Sequence, residues 1–300
     1  MVLVTTTLDA YSPLIDYQPR EAWVRGGADG DPYRTRYQDG TFVFSLRAPG
    51  ASATLNFTGT EVHIYGAYRS NSGPYSVTLD GVSSGYMRTN GSTPDVHDQL
   101  FKVELYGATG LTPGAHQVTI TNEWGSASGA GVRGQEALDV DYITFTSDVE
   151  SDDSAVVQGE QADFFEFVPE AAWGHVQGDD YNGGAEHFTT QSGASVSLTF
   201  AGDRVALYGS FGPDFALYTA QLDDGPTALM NASRPVDPAF QQLLFYATSL
   251  GTDARHNLTL TSMAQGAGKF AVDYAKVDRA SNTLDSAVAK QSAAQDKATG

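Results

Sequence analysis

Apolar and polar residues alternate with a period of two along much of this chain. Ala53, Leu55 and Phe57 interleave with Ser52, Thr54 and Asn56, and Val62 and Ile64 with Glu61 and His63. Tyr75, Val77 and Leu79 alternate with Ser76 and Thr78, and Val118 and Ile120 with Gln117 and Thr119. Successive side chains on a strand point to opposite faces, so this pattern predicts strands with one buried and one wet face. Turn formers separate the runs: Thr58-Gly59, Asp80-Gly81 and Pro113-Gly114, then Gly202-Asp203 and Asp224-Gly225. Asp-Gly between alternating runs is a hairpin signal. Many short strands joined by such turns predict an all-β protein of antiparallel β-sandwich or jelly-roll type.

The pattern occurs twice. GASATLNFTGTEVHIYG from Gly50 returns as GASVSLTFAGDRVALYG from Gly193, an offset of 143 residues. Leu55/Leu198, Phe57/Phe200, Tyr65/Tyr208, Tyr75/Tyr218 and Asp80/Asp223 match at that offset. Trp23 corresponds to Trp173, and both are expected in a core. His116 and His256 recur before a strand, which assigns them to turns. Each unit ends alike, in Leu138-Asp139-Val140-Asp141-Tyr142 and Phe270-Ala271-Val272-Asp273-Tyr274. Two tandem sandwiches are therefore expected, residues 1–147 and 162–280. The acidic stretch 148–161 reads as a linker, and the Ala-, Ser- and Gln-rich stretch 281–300 as a polar tail or stalk.

The segments Gly59–Gly66, Gly73–Gly81, Gly110–Asn122 and Leu138–Ile143 together resemble galactose-binding-like jelly-roll domains. More narrowly, they are similar to tandem ectodomains of mushroom-forming fungi, which a Ser-rich stalk and a single transmembrane helix often follow. The second unit departs from the pattern at Asp224, in place of the hairpin Gly, and at Ser262, in place of Asn122. The resemblance implies a secreted or cell-surface ectodomain that ends in a juxtamembrane stalk. It implies a glycan or polysaccharide as partner. It also implies a structural calcium between first and last strands, with Asp141 and Asp273 as ligands and Asp16 or Glu166 beside them. Backbone hydrogen bonds at a strand edge are the other use for these aspartates. Fold motifs specify architecture far better than activity.

Composition narrows the field. The net charge of -19 repels phosphate backbones, so nucleic acid is not an expected partner. Cysteine is absent, which excludes disulfides, thiolate metal sites and thiol catalysis. Four N-x-S/T sequons, at Asn56, Asn90, Asn231 and Asn257, favour a secretory route. The first residues are too short for the apolar stretch of a signal peptide.

No nucleophile elbow and no metalloprotease helix motif occurs. The acids Glu123, Glu136, Asp139 and Asp141 form the richest carboxylate cluster, and a glycosidase needs two such groups. Unit one differs from unit two mainly in two long loops. One follows Gly81 and brings Tyr86, Arg88, Asn90, His97 and Asp98. The other follows Asn122 and brings Glu123, Trp124, Arg133 and Glu136. Sugar sites join an aromatic face to groups that bond hydroxyls. Trp124, Arg133, Glu123, Glu136, Arg88 and Tyr86 have that composition and are the expected ligand site; packing of Trp124 on its own domain is the alternative. Arginines also crowd unit one, several near Trp23, Tyr33, Tyr37 and Tyr68, as either an anionic-glycan patch or solvated ion pairs. The expected function is a non-catalytic glycan-binding or adhesive ectodomain. A glycoside hydrolase using the loop carboxylates, or a spacer without ligand, are the alternatives.

Overall fold

The computed structural model describes residues 2–26, 31–88, 99–126, 134–149, 154–159, 161, 164–234, 238–251 and 255–278. Two compact units result: the first spans Leu3–Asp148 and the second starts at Val149. Among the described residues there is no α-helix, only short 3-10 turns.

Domain 1 contains β1 (Val2–Asp9), β2 (Ile15–Gln18), β3 (Trp23–Gly26), β4 (Phe42–Leu46), β5 (Ser52–Gly59) and β6 (Glu61–Tyr68). It continues with β7 (Pro74–Leu79), β8 (Val82–Arg88), β9 (Leu100–Ala108), β10 (Gly114–Asn122), β11 (Ala137–Val140) and β12 (Tyr142–Val149). Domain 2 contains β13 (Ser154–Gln158), β14 (Phe165–Val168), β15 (Trp173–Gln177), β16 (Ala185–Thr189), β17 (Ser195–Ala201) and β18 (Val205–Phe211). It closes with β19 (Leu217–Leu222), β20 (Ala228–Asn231), β21 (Ala239–Ala247), β22 (Arg255–Ser262), β23 (Phe270–Val272) and β24 (Tyr274–Asp278).

The repeat in sequence is a repeat in topology. Domain 1 has sheets ordered β1-β12-β6-β9, β2-β5-β10-β7-β8 and β11-β4-β3. Domain 2 repeats them strand for strand, as β13-β24-β18-β21, β14-β17-β22-β19-β20 and β15-β16-β23. Pairing is antiparallel, with β10 running from Gly114 opposite Gly59 to Thr121 opposite Ser52. Ile15, Ala53, Leu55, Val77, Val118 and Ile120 are buried from the five-stranded sheet. Leu8, Val62, Ile64, Ile143 and Phe145 are buried from the four-stranded one. Apart from Ala53, each such burial is worth about 1.5–3 kcal/mol, so these inner faces hold the sandwich closed.

Polar contacts also recur. The Tyr75 hydroxyl donates to the Leu105 carbonyl at 2.8 Å, and Tyr218 to Leu244 at 2.6 Å, each joining one sheet to the other. Asp80 and Asp223, at φ 51° and 50°, turn their hairpins in the left-handed region. Their carboxylates meet His116 Nδ1 at 2.6 Å and His256 Nδ1 at 2.8 Å, and each accepts the next residue's backbone N–H at 2.8 Å. The recurring histidines thus brace turns.

Two expectations need correction. The stretch 148–161 is not a linker throughout, because Ser154–Gln158 forms β13, which pairs with β24. Val157 is buried and supplies the inward face that the surrounding acidic residues obscure. Trp23 and Trp173 are half-buried at the short β3 and β15 strands rather than in the core. Trp23 packs on Tyr17 with ring centroids 4.9 Å apart, and its indole N–H donates to the Gln18 carbonyl at 3.3 Å. The tail 281–300 lies outside the described residues.

Candidate functional site

The connections β6–β7 and β10–β11 meet at one end of domain 1. Gly73 N–H donates to the Ala137 carbonyl at 2.7 Å, Glu136 N–H to Asn71 at 2.8 Å, and Glu123 N–H to Pro74 at 2.9 Å. Asn122 anchors this rim from the interior. Its amide donates to Ser45 Oγ at 2.9 Å, and its side-chain oxygen accepts the Trp124 N–H at 2.9 Å. Ser262 fills that role in domain 2, where its hydroxyl accepts the Ala264 N–H at 3.1 Å. The exchange of Asn for Ser between the repeats therefore preserves the turn.

Two of the expected ligand residues meet at Ser76, and a third, Trp124, follows next in the chain. Glu123 Oε1 accepts a hydrogen bond from Ser76 Oγ at 2.7 Å. Tyr86 on β8 sits directly opposite Ser76, so both project from the outer face of the five-stranded sheet. Trp124 is the residue after Glu123 and is half-buried. Arg88 closes β8 opposite Pro74. Arg133 lies outside the described residues. Glu136 is different: its side chain is 9% exposed and is ion-paired with Arg47. Its carboxylate is used inside the rim, not offered from it. Domain 2 lacks the surface trio. By register, Met263, Ala264 and Leu229 stand where Glu123, Trp124 and Tyr86 are.

A second cluster occupies the segment before β4. Tyr37 stacks on Phe42 at 3.8 Å and meets Phe101 edge-on at 4.9 Å. Its hydroxyl donates to Asp139 Oδ2 at 2.7 Å. Arg69 reaches Asp31 Oδ2 at 3.1 Å and the Tyr37 oxygen at 3.4 Å. The Arg36 guanidinium lies 4.1 Å over the Phe101 ring and donates to the Gln99 carbonyl at 2.9 Å. Burial pushes the Asp139 carboxyl up to about 6, against the opposing pull of the Tyr37 hydroxyl and Arg69.

Asp141 and Asp273 are buried and hold a backbone amide each. Asp141 accepts the Gln38 N–H at 3.0 Å, and Asp273 accepts the Asn182 N–H at 3.0 Å. Gln38 and Asn182 follow Tyr37 and Tyr181, so the two aspartates clamp equivalent loops. Asp9 and Asp39, not Asp16, are the acids that act on Asp141. Asp16 is exposed and accepts from Gln18, and Glu166 is exposed on β14. Calcium wants six to eight oxygen ligands. Here N–H donors face the carboxylates, and among the described residues no group of three acids or imidazoles could hold a metal. Melting curves in calcium and in excess chelator are accordingly expected to coincide; a calcium-dependent rise would restore the ion as a ligand of Asp141 or Asp273.

The sequons differ in setting. Asn56 is exposed on β5, where it accepts from Gln117 at 2.9 Å, and Asn257 is exposed on β22. Asn56 pairs with Gln117 and Asn257 with Thr199, so both occupy the same rung of their sheets on opposite strands. Asn231 instead accepts the Ser233 N–H at 2.8 Å, beside the buried Ala232. Asn90 lies outside the described residues.

No family model matches the chain. It is 25% identical over 204 residues to "A type blood alpha-D-galactosamine galactosaminidase" of Flavonifractor plautii, a match spanning 67% of this chain and 17% of that protein. The chain thus covers a small part of that relative's length. Among solved structures it is similar to a Paenibacillus xanthan lyase, at 14% identity and a TM-score of 0.31, over 86% of this chain and 25% of that one. It is also similar to the CBM36-1 domain of a multidomain xylanase from the hindgut metagenome of Trinervitermes trinervoides. That match has 13% identity and a TM-score of 0.29, over 49% of this chain and all of that domain (100%).

Proposed function

We propose that this chain is a non-catalytic glycan-binding or adhesive module, secreted or carried at a cell surface, whose ligand meets the rim of domain 1. The observation that carries the reading is the grouping of Trp124, Tyr86 and Glu123 on that rim, with Ala264, Leu229 and Met263 in their places in domain 2. Domain 2 closes the same turn without them, so the fold does not require an aromatic or an acid there. Loops on a rigid sandwich are where binding residues concentrate. An indole stacks on the C–H face of a pyranose while Glu123 accepts from hydroxyls. The similarity to part of a galactosaminidase supports a carbohydrate as the ligand class.

A glycan array followed by titration calorimetry tests this. Trp124→Ala is expected to weaken binding at least tenfold, about 1.4 kcal/mol, with the melting temperature unchanged. Tyr86→Ala should weaken it in the same direction should the first variant misfold. Undiminished binding by both variants would remove the rim from the account, and an array without hits would remove the glycan.

A further inference from the structure

We infer that the corner of domain 1 built from Tyr33, Arg36, Arg69 and Phe101 receives a carboxylate-bearing sugar, so that the glycan is an acidic one. This rests on the glycan-binding reading above and names its ligand class.

The two domains supply the comparison. Tyr37 and Phe101 of domain 1 correspond to Tyr181 and Phe240 of domain 2, which also meet edge-on, at 5.3 Å. In both, the residue after the tyrosine is held by a buried aspartate. The aromatic framework is therefore shared and belongs to the fold. The guanidinium groups are not shared. Asp180 precedes Tyr181 where Arg36 precedes Tyr37, and Gly212 stands at the position of Arg69. Domain 2 forms this corner without either cation.

The two arginines are spent differently. Arg69 is 18% exposed, pairs with Asp31 at 3.1 Å and leans on the Tyr33 ring at 5.2 Å. Its charge is answered internally. Arg36 is exposed, and among the described residues no carboxylate answers it. Yet its plane is fixed by Phe101 beneath it and by the bond to Gln99. In a chain of net charge -19, a fixed guanidinium that meets no carboxylate among the described residues stands out. Guanidinium matches a carboxylate through two parallel N–H bonds, and its ordering cost has already been met here by the stack. The half-buried Tyr33 ring, 5.8 Å from Phe101, offers the apolar face that a pyranose needs. A neutral sugar would use the ring and leave Arg36 unanswered.

The test uses the whole chain and matched probes. Oligomers of galacturonate, glucuronate and mannuronate are titrated beside their methyl esters, which keep the sugar and remove the charge. At least one acidic form should bind ten or more times tighter than its ester. Arg36→Asp, the residue domain 2 carries, should abolish that preference with melting unchanged, and Arg36→Gln should do so if the aspartate variant misfolds. Arg36→Lys should retain only part of it, because an ammonium lacks the fork. Equal binding of acid and ester, or a preference that survives Arg36→Gln, overturns the inference and leaves the glycan reading intact. Failure of every acidic and neutral glycan to bind overturns both.

Discussion

Gly66→Ala is expected to unfold domain 1 at temperatures where domain 2 still stands, and Gly209→Ala the reverse. A Cβ at Gly66 would overlap the Asp139 carbonyl oxygen and lie 2.7 Å from Leu105 Cδ1. The same atom at Gly209 would overlap the Ala271 carbonyl oxygen and lie 2.7 Å from Leu244 Cδ1. In each domain, then, the sixth strand passes so close to the eleventh that only hydrogen fits between them. The carbonyl cannot retreat easily, because Asp139 is in register with Phe44 in the β11–β4 ladder, and Ala271 with Phe188 in β23–β16. Overpacking a core costs roughly 1–3 kcal/mol when side chains can give way. Against backbone the cost should exceed about 4 kcal/mol, a large share of the ~5–15 kcal/mol that holds a domain together. Gly81→Ala makes the control. Its φ of 78° disfavours alanine, but nothing lies within 4 Å, so about 1 kcal/mol is expected. Calorimetry should show one transition lowered by Gly66→Ala and the other by Gly209→Ala. Unchanged melting in both variants would mean that the strands do not approach as described.

How much of this is legible in the sequence varies with the range of the interaction. The strands and their duplication follow from a period of two and a constant offset, which are local signals. Asp80 with His116 and Asp223 with His256 stand out because both partners recur. For Asp141 and Asp273 only the aspartate can be read. Its partner is a backbone amide 103 residues away in one case and 91 in the other, and an amide leaves no trace in residue identity. Glu136 reads as an exposed loop acid because its neighbours are Gly- and Ser-rich. Its position just before β11, beside Arg47, buries it instead. The interior carboxyls escape for a different reason. Domain 1 carries Phe42 on β4 and Asp139 on β11, whereas domain 2 carries Glu186 on β16 and Ala271 on β23 at the equivalent positions. Each domain places one acid in this layer, but on different strands. A comparison of repeats that looks for identical residues passes over such an exchange.

Those interior acids should make the protein more stable at about pH 5 than at about pH 8. Burial drives all three shifts. Asp139 is pushed up to about 6; Asp141 to about 7, with the Gln38 amide opposing burial and Asp9 adding to it; Glu186 to about 7, with Ser210 opposing and Asp273 adding. An unfolded chain titrates the same carboxyls near ~4. Each group thus holds its proton more tightly when folded. Its contribution is fully present below about pH 4 and is lost as pH rises through the folded value, here between about 6 and 7. His116 adds to this trend. Burial lowers its pKa, but the Asp80 carboxylate and the Thr112 carbonyl outweigh that and leave it raised. Asp80 and Asp223 work the other way. The Gln117 amide and His116 lower the Asp80 carboxyl. Burial raises that of Asp223, but His256 and the Asn257 amide together outweigh it and leave it lowered. The contribution of these two is lost only as pH falls through values below the ordinary carboxylate range, so it sets the acid limit and leaves the trend above pH 5 untouched. A tenfold gain in proton affinity on folding corresponds to about 1.4 kcal/mol, and a loss of a few kcal/mol in a domain of this size lowers melting by roughly ten degrees. Asp139→Asn and Glu186→Gln imitate the protonated forms and keep an oxygen for Tyr37 and Ser210. The first should weaken the pH dependence of the domain 1 transition alone, where Asp141 and His116 keep the rest, and the second should flatten that of domain 2 alone. If melting instead climbs steadily from pH 5 to pH 8, these carboxyls are ionised in the folded protein and the assignment of their burial fails.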